Sequence, residues 1–310
     1  MAADSFELMR KIWNQLALGA ALAMSAATCA DTITVCLSGG CDHVTIQAAI
    51  DAADHGDVIY IAAGTYFPTT TIDTRGKAIH LLGQTAADGT RVVIDGLDTI
   101  RVLACTSGET PNTKFENLVI QHGLAIDVFP DDLGGGLYVY QSRPTVKDCV
   151  FRRNIAGNGG GVCVHLESEP IFKACQFIEN RALNLGGGIL NIGNSRPTVD
   201  QCFIRGNSAG IDAGGINNYD GCLTDLKDTT ICSNTPKQIN GDWTDQGGNA
   251  IWNNCDVPED LDGDGAIAGS DLIKLLGAWE SDDPTADINN DGTVDAADLN
   301  CLLGSWNPSP

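Results

Sequence analysis

From Gly134 onward the chain repeats one short arrangement of apolar and polar positions. Glycine-rich clusters stand at 134–136, 159–161, 186–188 and 213–215, at spacings of 25, 27 and 27 residues. After each cluster a β-type run begins with Leu137, Val162, Ile189 or Ile216. Two residues on come Val139 and Val164, then Asn191 and Asn218, so the pattern predicts an interior that turns polar toward its far end. Farther along each unit lie Pro144, Pro170 and Pro197, then Cys149, Cys175, Cys202 and Thr229. Phe151, Phe177, Ile204 and Ile231 follow, and three residues later Asn154, Asn180, Asn207 and Asn234. A period near 26 with short β runs and glycine turns is the signature of a solenoid, in which no unit buries its own apolar face. Stacking coils about 4.8 Å apart places equivalent residues above one another. The Phe and Ile positions then form an inner ladder, and the Asn amides bond the backbone of neighbouring turns. Propeller blades run to about 40 residues, and leucine-rich repeats need regular leucines, so neither fits.

Upstream, residues 45–66 read as an amphipathic helix, a strand and a turn. Ile46, Ala49, Ile50 and Ala53 make the apolar face of the helix. With the coil pattern, this stretch resembles the N-terminal cap and first coil of the pectin-lyase-like family. The resemblance covers residues 42–241. It implies an all-β, right-handed parallel β-helix (solenoid) with an N-terminal capping helix, which would seal the unpaired end of the stack. The fold hosts lyases, hydrolases, esterases and binding proteins, so it does not fix an activity.

The last fifty residues carry a different pattern. DLDGDGAIAGSDL, from Asp260, recurs as DINNDGTVDAADL, from Asp287, and Leu272, Leu275, Leu276, Gly277 and Trp279 recur 27 residues later. Each loop has the spacing of an EF-hand calcium loop: oxygen side chains at positions 1, 3, 5 and 12, a glycine at 6, and a backbone carbonyl at 7. In the first loop these are Asp260, Asp262, Asp264, Asp271, Gly265 and Ala266. In the second they are Asp287, Asn289, Asp291, Asp298, Gly292 and Thr293. Calcium takes six to eight oxygens, and without an ion such closely spaced carboxylates repel. Two Ca2+ ions are therefore expected. Position 12 is Asp rather than Glu, and a helix pattern follows each loop but none precedes it. That arrangement resembles the type I dockerin family over residues 259–308. The resemblance implies a small α-helical calcium-binding domain with a cohesin-like or cell-surface partner. Family members often carry Ser-Thr at positions 10 and 11 of each loop; here stand Gly269-Ser270 and Ala296-Ala297.

The N-terminus fits secretion. Arg10 and Lys11 precede an apolar run over 16–27 and then Ala-Thr-Cys-Ala, the shape of a signal peptide with cleavage after Ala30 or Ala27. The run is too short for a membrane span, and no other apolar stretch approaches that length. Either Met1 or Met9 can be the start. The expected organisation is a signal peptide at 1–30, a β-helix at 31–250, a linker at 251–258 and the dockerin-like domain at 259–310. The expected location is extracellular or at the cell surface. The formal charge is −22. Twelve acids against Lys274 give −11 from Glu259 onward, and no basic stripe appears elsewhere, which argues against nucleic acid. Twelve cysteines suit an oxidising compartment, and the absence of any CxxC pair argues against zinc. Cys36 with Cys41, and Cys222 with Cys232, are candidate disulfides.

The outward column of the coils holds Tyr140, His165, Ile192 and Tyr219, with Tyr138 beside it. Aromatics aligned on one face stack on sugar rings, so Tyr138, Tyr140, His165 and Tyr219 are candidate carbohydrate contacts. Glycosidases on such folds use paired carboxylates. Asp131-Asp132, with Asp127 and His122 nearby in sequence, is the one adjacent pair on a coil loop. No Gly-His-Gly follows it, and Arg75-Gly76-Lys77 stands before it, in the wrong order for the polygalacturonase motif. Arg143, Arg152, Arg153, Arg196 and Arg205 lie outside any lyase motif, so catalytic residues stay unassigned. Two classes of function remain. One is a secreted β-helix that binds or scaffolds extracellular polysaccharide, tethered through its calcium module. The other is a polysaccharide lyase or glycoside hydrolase.

Overall fold

A computed structural model describes residues 30–219, 221–253, 255, 259–262, 267–289 and 291–306. Its main body is a right-handed parallel β-solenoid. Among the described residues the strands form parallel sheets of nine, eight, seven and four members. The four coils from Leu103 to Ala209 each visit the seven-strand sheet, then the nine-, eight- and four-strand sheets, and return through a glycine cluster. Strand Leu137–Tyr140 lies in register on Val162–His165, which lies on Ile189–Ile192 and then Ile216–Asn218. The repeat read from the glycines is thus the coil itself. The strands begin earlier, at Thr32, and the last, Ala250–Trp252, runs into the stretch expected to be a linker.

The interior is a set of columns. Phe115, Val146, Phe172, Val199 and Leu226 line the nine-strand sheet, and Ile120, Phe151, Phe177, Ile204 and Ile231 the eight-strand sheet. Phe151 and Phe177 stack at 5.2 Å, and Phe172 meets both edge-on. Beside the seven-strand sheet the interior turns polar as expected. Asn191 donates to Asn218 at 2.7 Å and to Thr224 at 3.0 Å, and all three are buried.

From Gln141 to Asn234 the coils turn three of their corners in the same way. One residue takes positive φ, and the next turns a small polar side chain inward to bond the neighbouring coil. At the corner between the eight- and four-strand sheets, Arg153 and Glu179 take the left-handed conformation, and Asn154 and Asn180 follow. The Asn180, Asn207 and Asn234 side chains accept from the backbone N–H of Asn154, Asn180 and Asn207 at 2.9–3.1 Å. Gln238 ends the ladder by accepting from Asn234. Between the nine- and eight-strand sheets, the Cys149, Cys175 and Cys202 thiols donate to carbonyls of the preceding coil, and the Thr229 hydroxyl does the same at 3.2 Å. Between the seven- and nine-strand sheets runs a serine column. Ser168 accepts from the Ser142 N–H, and Ser195 from that of Ser168. Its first coil holds buried Glu109, which accepts from Thr74, Ser142 and the N–H groups of Gly76 and Ser107. Burial opposes ionisation of Glu109, but these donors outweigh it and hold its carboxyl below the usual range.

The glycine clusters have a steric cause. A Cβ on Gly161 would stand 2.6 Å from the Gly188 carbonyl oxygen and 3.1 Å from the Asn180 amide, so the coils could not close there. Helix Ile46–Ala52 buries Ile46, Ala49 and Ile50, and the Thr45 hydroxyl accepts from the Ala48 N–H as its N-cap. The Lys77 ammonium donates to carbonyls at the helix end. Cys36 and Cys41 form the expected disulfide. The second pairing differs from expectation, because Cys232 bonds Cys255. The buried Cys222 sulfur instead accepts from the Ser195 N–H at 3.2 Å, at the foot of the serine column. Of the signal peptide expected at 1–30, residues 1–29 lie outside the described residues.

Beyond the solenoid, helices Gly269–Gly277 and Ala296–Gly304 pack around Leu275, Ala286, Ile288, Val294 and Leu302. No helix among the described residues is long and apolar enough to cross a membrane.

Candidate functional site

On the outer face of the seven-strand sheet, Tyr140, His165 and Ile192 stand in register on three successive coils. Tyr219 follows strand Ile216–Asn218, and its N–H donates to the Asn191 carbonyl, continuing the ladder. It is 56% exposed, while Tyr140 and His165 are half-buried. The Tyr140 and His165 rings meet edge to face at 5.3 Å, and exposed Phe129 closes on His165 at 6.0 Å. His165 Nδ1 lies 2.9 Å from the Tyr138 hydroxyl. Burial pushes the His165 pKa down, so the ring is neutral at pH 7. The result is an uncharged aromatic face, walled on one side by Phe129. Sequence reasoning did not include Phe129, whose place depends on a loop outside the repeat.

Tyr138 does not belong to that surface. It is only 6% exposed and packs with Leu133, Cys163 and Leu190 under the loop at 126–133. Arg101 fastens that loop: its Nε donates to the Leu133 carbonyl at 2.9 Å, its Nη2 to Pro130 at 3.2 Å, and its guanidinium lies 5.0 Å from the Tyr138 ring centroid. A residue on the outward side of a strand is thereby sealed from solvent.

In the acidic loop the two adjacent carboxylates meet different partners. Asp131 stands 4.0 Å from Arg101, and Asp132 accepts from Asn158 at 2.8 Å. Asp127 is exposed. His122 makes its contact elsewhere, at 3.0 Å from Asp95, which also accepts from Gln121 and the Leu97 N–H. Burial opposes the Asp95 charge, but these donors prevail and lower its pKa. A concavity follows the corner between the nine- and eight-strand sheets, along Asp148, Ala174 and Gln201. Arg91 lies in it, bonded to Asn117 and to the Asp148 carbonyl.

In their described residues the duplicated loops make matching hydrogen bonds. Asp271 accepts from the N–H groups of Asp262 and Ala268, and Asp298 from those of Asn289 and Asp295. In each loop, position 12 thus ties down positions 3 and 9 and opens a helix. Asp298 carries a lowered pKa: burial opposes its charge, but the backbone donors overcome it. Asp260, Asp262 and Asp271 offer oxygens that all lie within 4.8 Å of one another. In the second loop Asp287 accepts from the N–H groups of Asp291 and Gly292, Asn289 donates to Asp291, and Asp291 accepts from the Thr293 N–H. Gly292 takes φ +95°, which the sharp turn requires. The donor set is all oxygen and suits a hard divalent cation. Asp264 and Ala266 lie outside the described residues.

A family model for the right handed beta helix region matches residues 77–257. Among solved structures the chain is similar to pectin methylesterase PemA from Erwinia chrysanthemi, at 15% identity, over 70% of this chain and 82% of that one, with a TM-score of 0.40. Pectate lyase Pel9A aligns at 15% identity over 72% and 68%, with a TM-score of 0.37. A pectin methylesterase in complex with hexasaccharide VII aligns at 14% identity over 92% and 100%, with a TM-score of 0.40. No curated protein matches the chain.

Proposed function

The chain belongs to the right-handed β-helix family, and we propose that it is a secreted glycan-binding protein held in place through a calcium-binding, dockerin-like module. The observation that carries this reading is the aromatic column. Tyr140, His165 and Tyr219 span four coils with Ile192 among them, and Phe129 forms a wall. One coil rise is close to the length of one sugar ring, so a glycan along the solenoid axis meets an apolar side chain at each coil. Ring stacking contributes roughly 1 kcal/mol per aromatic beyond area burial, which suits weak, extended binding. Helix Ile46–Ala52 acts as the cap of the first coil, supported by the burial of Ile46, Ala49 and Ile50. The two acidic loops hold one Ca2+ each, supported by the matching hydrogen bonds of Asp271 and Asp298. Ordering of the loops by the ion presents the paired helices to a cohesin-like or cell-surface partner.

Titration of the purified full chain with neutral and acidic polysaccharides tests the binding reading. Tyr140→Ala should weaken binding to a neutral glucan roughly fivefold, the equivalent of about 1 kcal/mol. Unchanged affinity in Tyr140→Ala and His165→Ala, or no binding to any polysaccharide of the panel, would sink it. Release of reducing ends by the wild-type chain would point to the enzymatic class instead.

A further inference from the structure

The arginines divide sharply by what they touch. Arg75, Arg101, Arg143, Arg153 and Arg196 each face a carboxylate, at 2.8–4.0 Å. Arg91 bonds Asn117 and the Asp148 carbonyl. Among the described arginines, Arg152, Arg181 and Arg205 alone have neither a carboxylate nor a main-chain carbonyl partner. In a chain with 40 acidic residues against 18 basic ones, three guanidiniums without an acidic partner are unexpected. All three flank one corner of the solenoid, between the eight- and four-strand sheets. Arg152 and Arg205 stand on the eight-strand side, in register through Ile178 and two coils apart, about 10 Å. Arg181 stands on the four-strand side in the coil between, stacked on Ile155 and under Ser208.

The corner is built to leave these groups free. Arg152 is oriented by one bond, from its Nε to Gln121 at 2.8 Å, which leaves its outer nitrogens open. Arg205 lies 5.6 Å from the Phe203 ring centroid, and its Nε is buried without a partner. A buried unsatisfied donor is costly and calls for an explanation such as an absent acceptor. The apex between them is bare at Gly206, where an added Cβ would meet nothing closer than the Glu179 Cγ, at 3.6 Å. The one acid on the apex, Glu179, is engaged by Arg153 at 2.8 Å. Planar guanidiniums with free outer nitrogens match carboxylate and sulfate oxygens in a bidentate way.

We propose that this corner is a second glycan subsite, separate from the aromatic face, and that it takes an anionic polysaccharide with an acidic group on successive residues. The inference rests on the glycan-binding reading but uses none of its residues. The polymer runs along the axis, and its acid groups fall on Arg152, Arg181 and Arg205 in turn. The local positive charge of the three guanidiniums also offsets the repulsion between a strongly acidic protein and an anionic polymer.

Binding of the full chain to polygalacturonate, dextran sulfate and a neutral β-glucan, at low and physiological salt, is the test. Replacing the three residues together (R152Q, R181Q and R205Q) should weaken binding to one or both acidic probes at least tenfold and flatten the salt dependence. Binding to the neutral glucan should not change. Loss with polygalacturonate alone identifies a carboxylate ligand, and loss with dextran sulfate alone a sulfate ester. The exposed single variant R181Q guards against a folding artefact and should lose several-fold by itself. A control that removes ion-paired arginines on another corner, R143Q with R196Q, should have little effect. The proposal is overturned if wild type binds no acidic probe, if R181Q and the triple variant bind as wild type does, or if the control loses as much. Acidic binding that survives Tyr140→Ala but fails in the triple variant supports this subsite even where the aromatic face proves inert.

Discussion

Asn180 shows what one position contributes to a stacked chain. Its Oδ1 accepts from the Asn154 N–H at 3.1 Å, while its Nδ2 donates to the Phe151 carbonyl at 2.8 Å and to Asn207 at 2.9 Å. All these groups are buried, so Asn180→Ala leaves a donor and an acceptor without water or partner. The expected loss is on the order of 1–3 kcal/mol, read from chemical denaturation of the full chain. A change no larger than that of a surface substitution would show that the column is incidental. This column was legible in the sequence because every coil repeats the letter at a nearly fixed spacing. The serine column was equally available, since Ser142, Ser168 and Ser195 each stand two residues before a proline, yet serine is common in turns and the pattern passes as turn chemistry. Glu109 could not be found that way. Its partners Thr74 and Ser142 lie 35 and 33 residues away, spacings that do not match the repeat, and only the closed coil joins them. Tyr138 failed for a related reason: alternation puts it outward, and an inserted loop then covers it.

At the scale of elements, the two acidic loops behave as copies. Each position-12 aspartate accepts the same two backbone N–H groups and stands in the first turn of the helix that follows. A carboxylate there also complements the positive end of the helix dipole. The duplication was legible from sequence alone, because each loop is local and its side-chain oxygens come from twelve consecutive residues. The aromatic face was legible only in part. Strand alternation identified Tyr140, His165 and Tyr219, but not Phe129, which a non-repeating loop brings to His165. Calorimetric titration of the full chain should find two calcium ions. Asp271→Asn and Asp298→Asn should each remove or weaken one of them. Ion in hundredfold excess over its Kd stabilises the folded module by about 2.7 kcal/mol, so its melting transition should rise with calcium. One site in wild type, or a transition indifferent to calcium, would contradict the assignment.

For the whole molecule, the governing problem of a solenoid is its two ends. Every interior coil satisfies its backbone on both sides, whereas the first and last present open edges that invite pairing with another chain. At the start, helix Ile46–Ala52 lies against the first coil with Ile46, Ala49 and Ile50 buried. At the other end, strands Ile239–Asn240, Trp243–Asp245 and Ala250–Trp252 are the last in their sheets, and among the described residues no strand pairs beyond them. The device there is chemical. The inner column of Phe115, Val146, Phe172, Val199 and Leu226 ends in Asp245, paired in register with Leu226 and exposed. Asp245 accepts from the Gly247 N–H at 2.9 Å and from Asn249 Nδ2 at 2.7 Å, and the same Asn249 bonds the Leu226 carbonyl and the Thr229 N–H. The last coil is therefore closed on itself by one carboxylate and one amide. A charge at an inward position also makes a further coil costly to add, because the next chain would have to bury it. Asp245→Leu removes that barrier and extends the apolar column to the open edge. The variant should self-associate, with a rise in weight-average mass by light scattering at concentrations where the parent is monodisperse. Asp245→Asn, which loses the charge but can still accept from Gly247, should associate less than the leucine variant. If Asp245→Leu stays monodisperse under those conditions, the carboxylate is not what keeps the end of the stack from pairing.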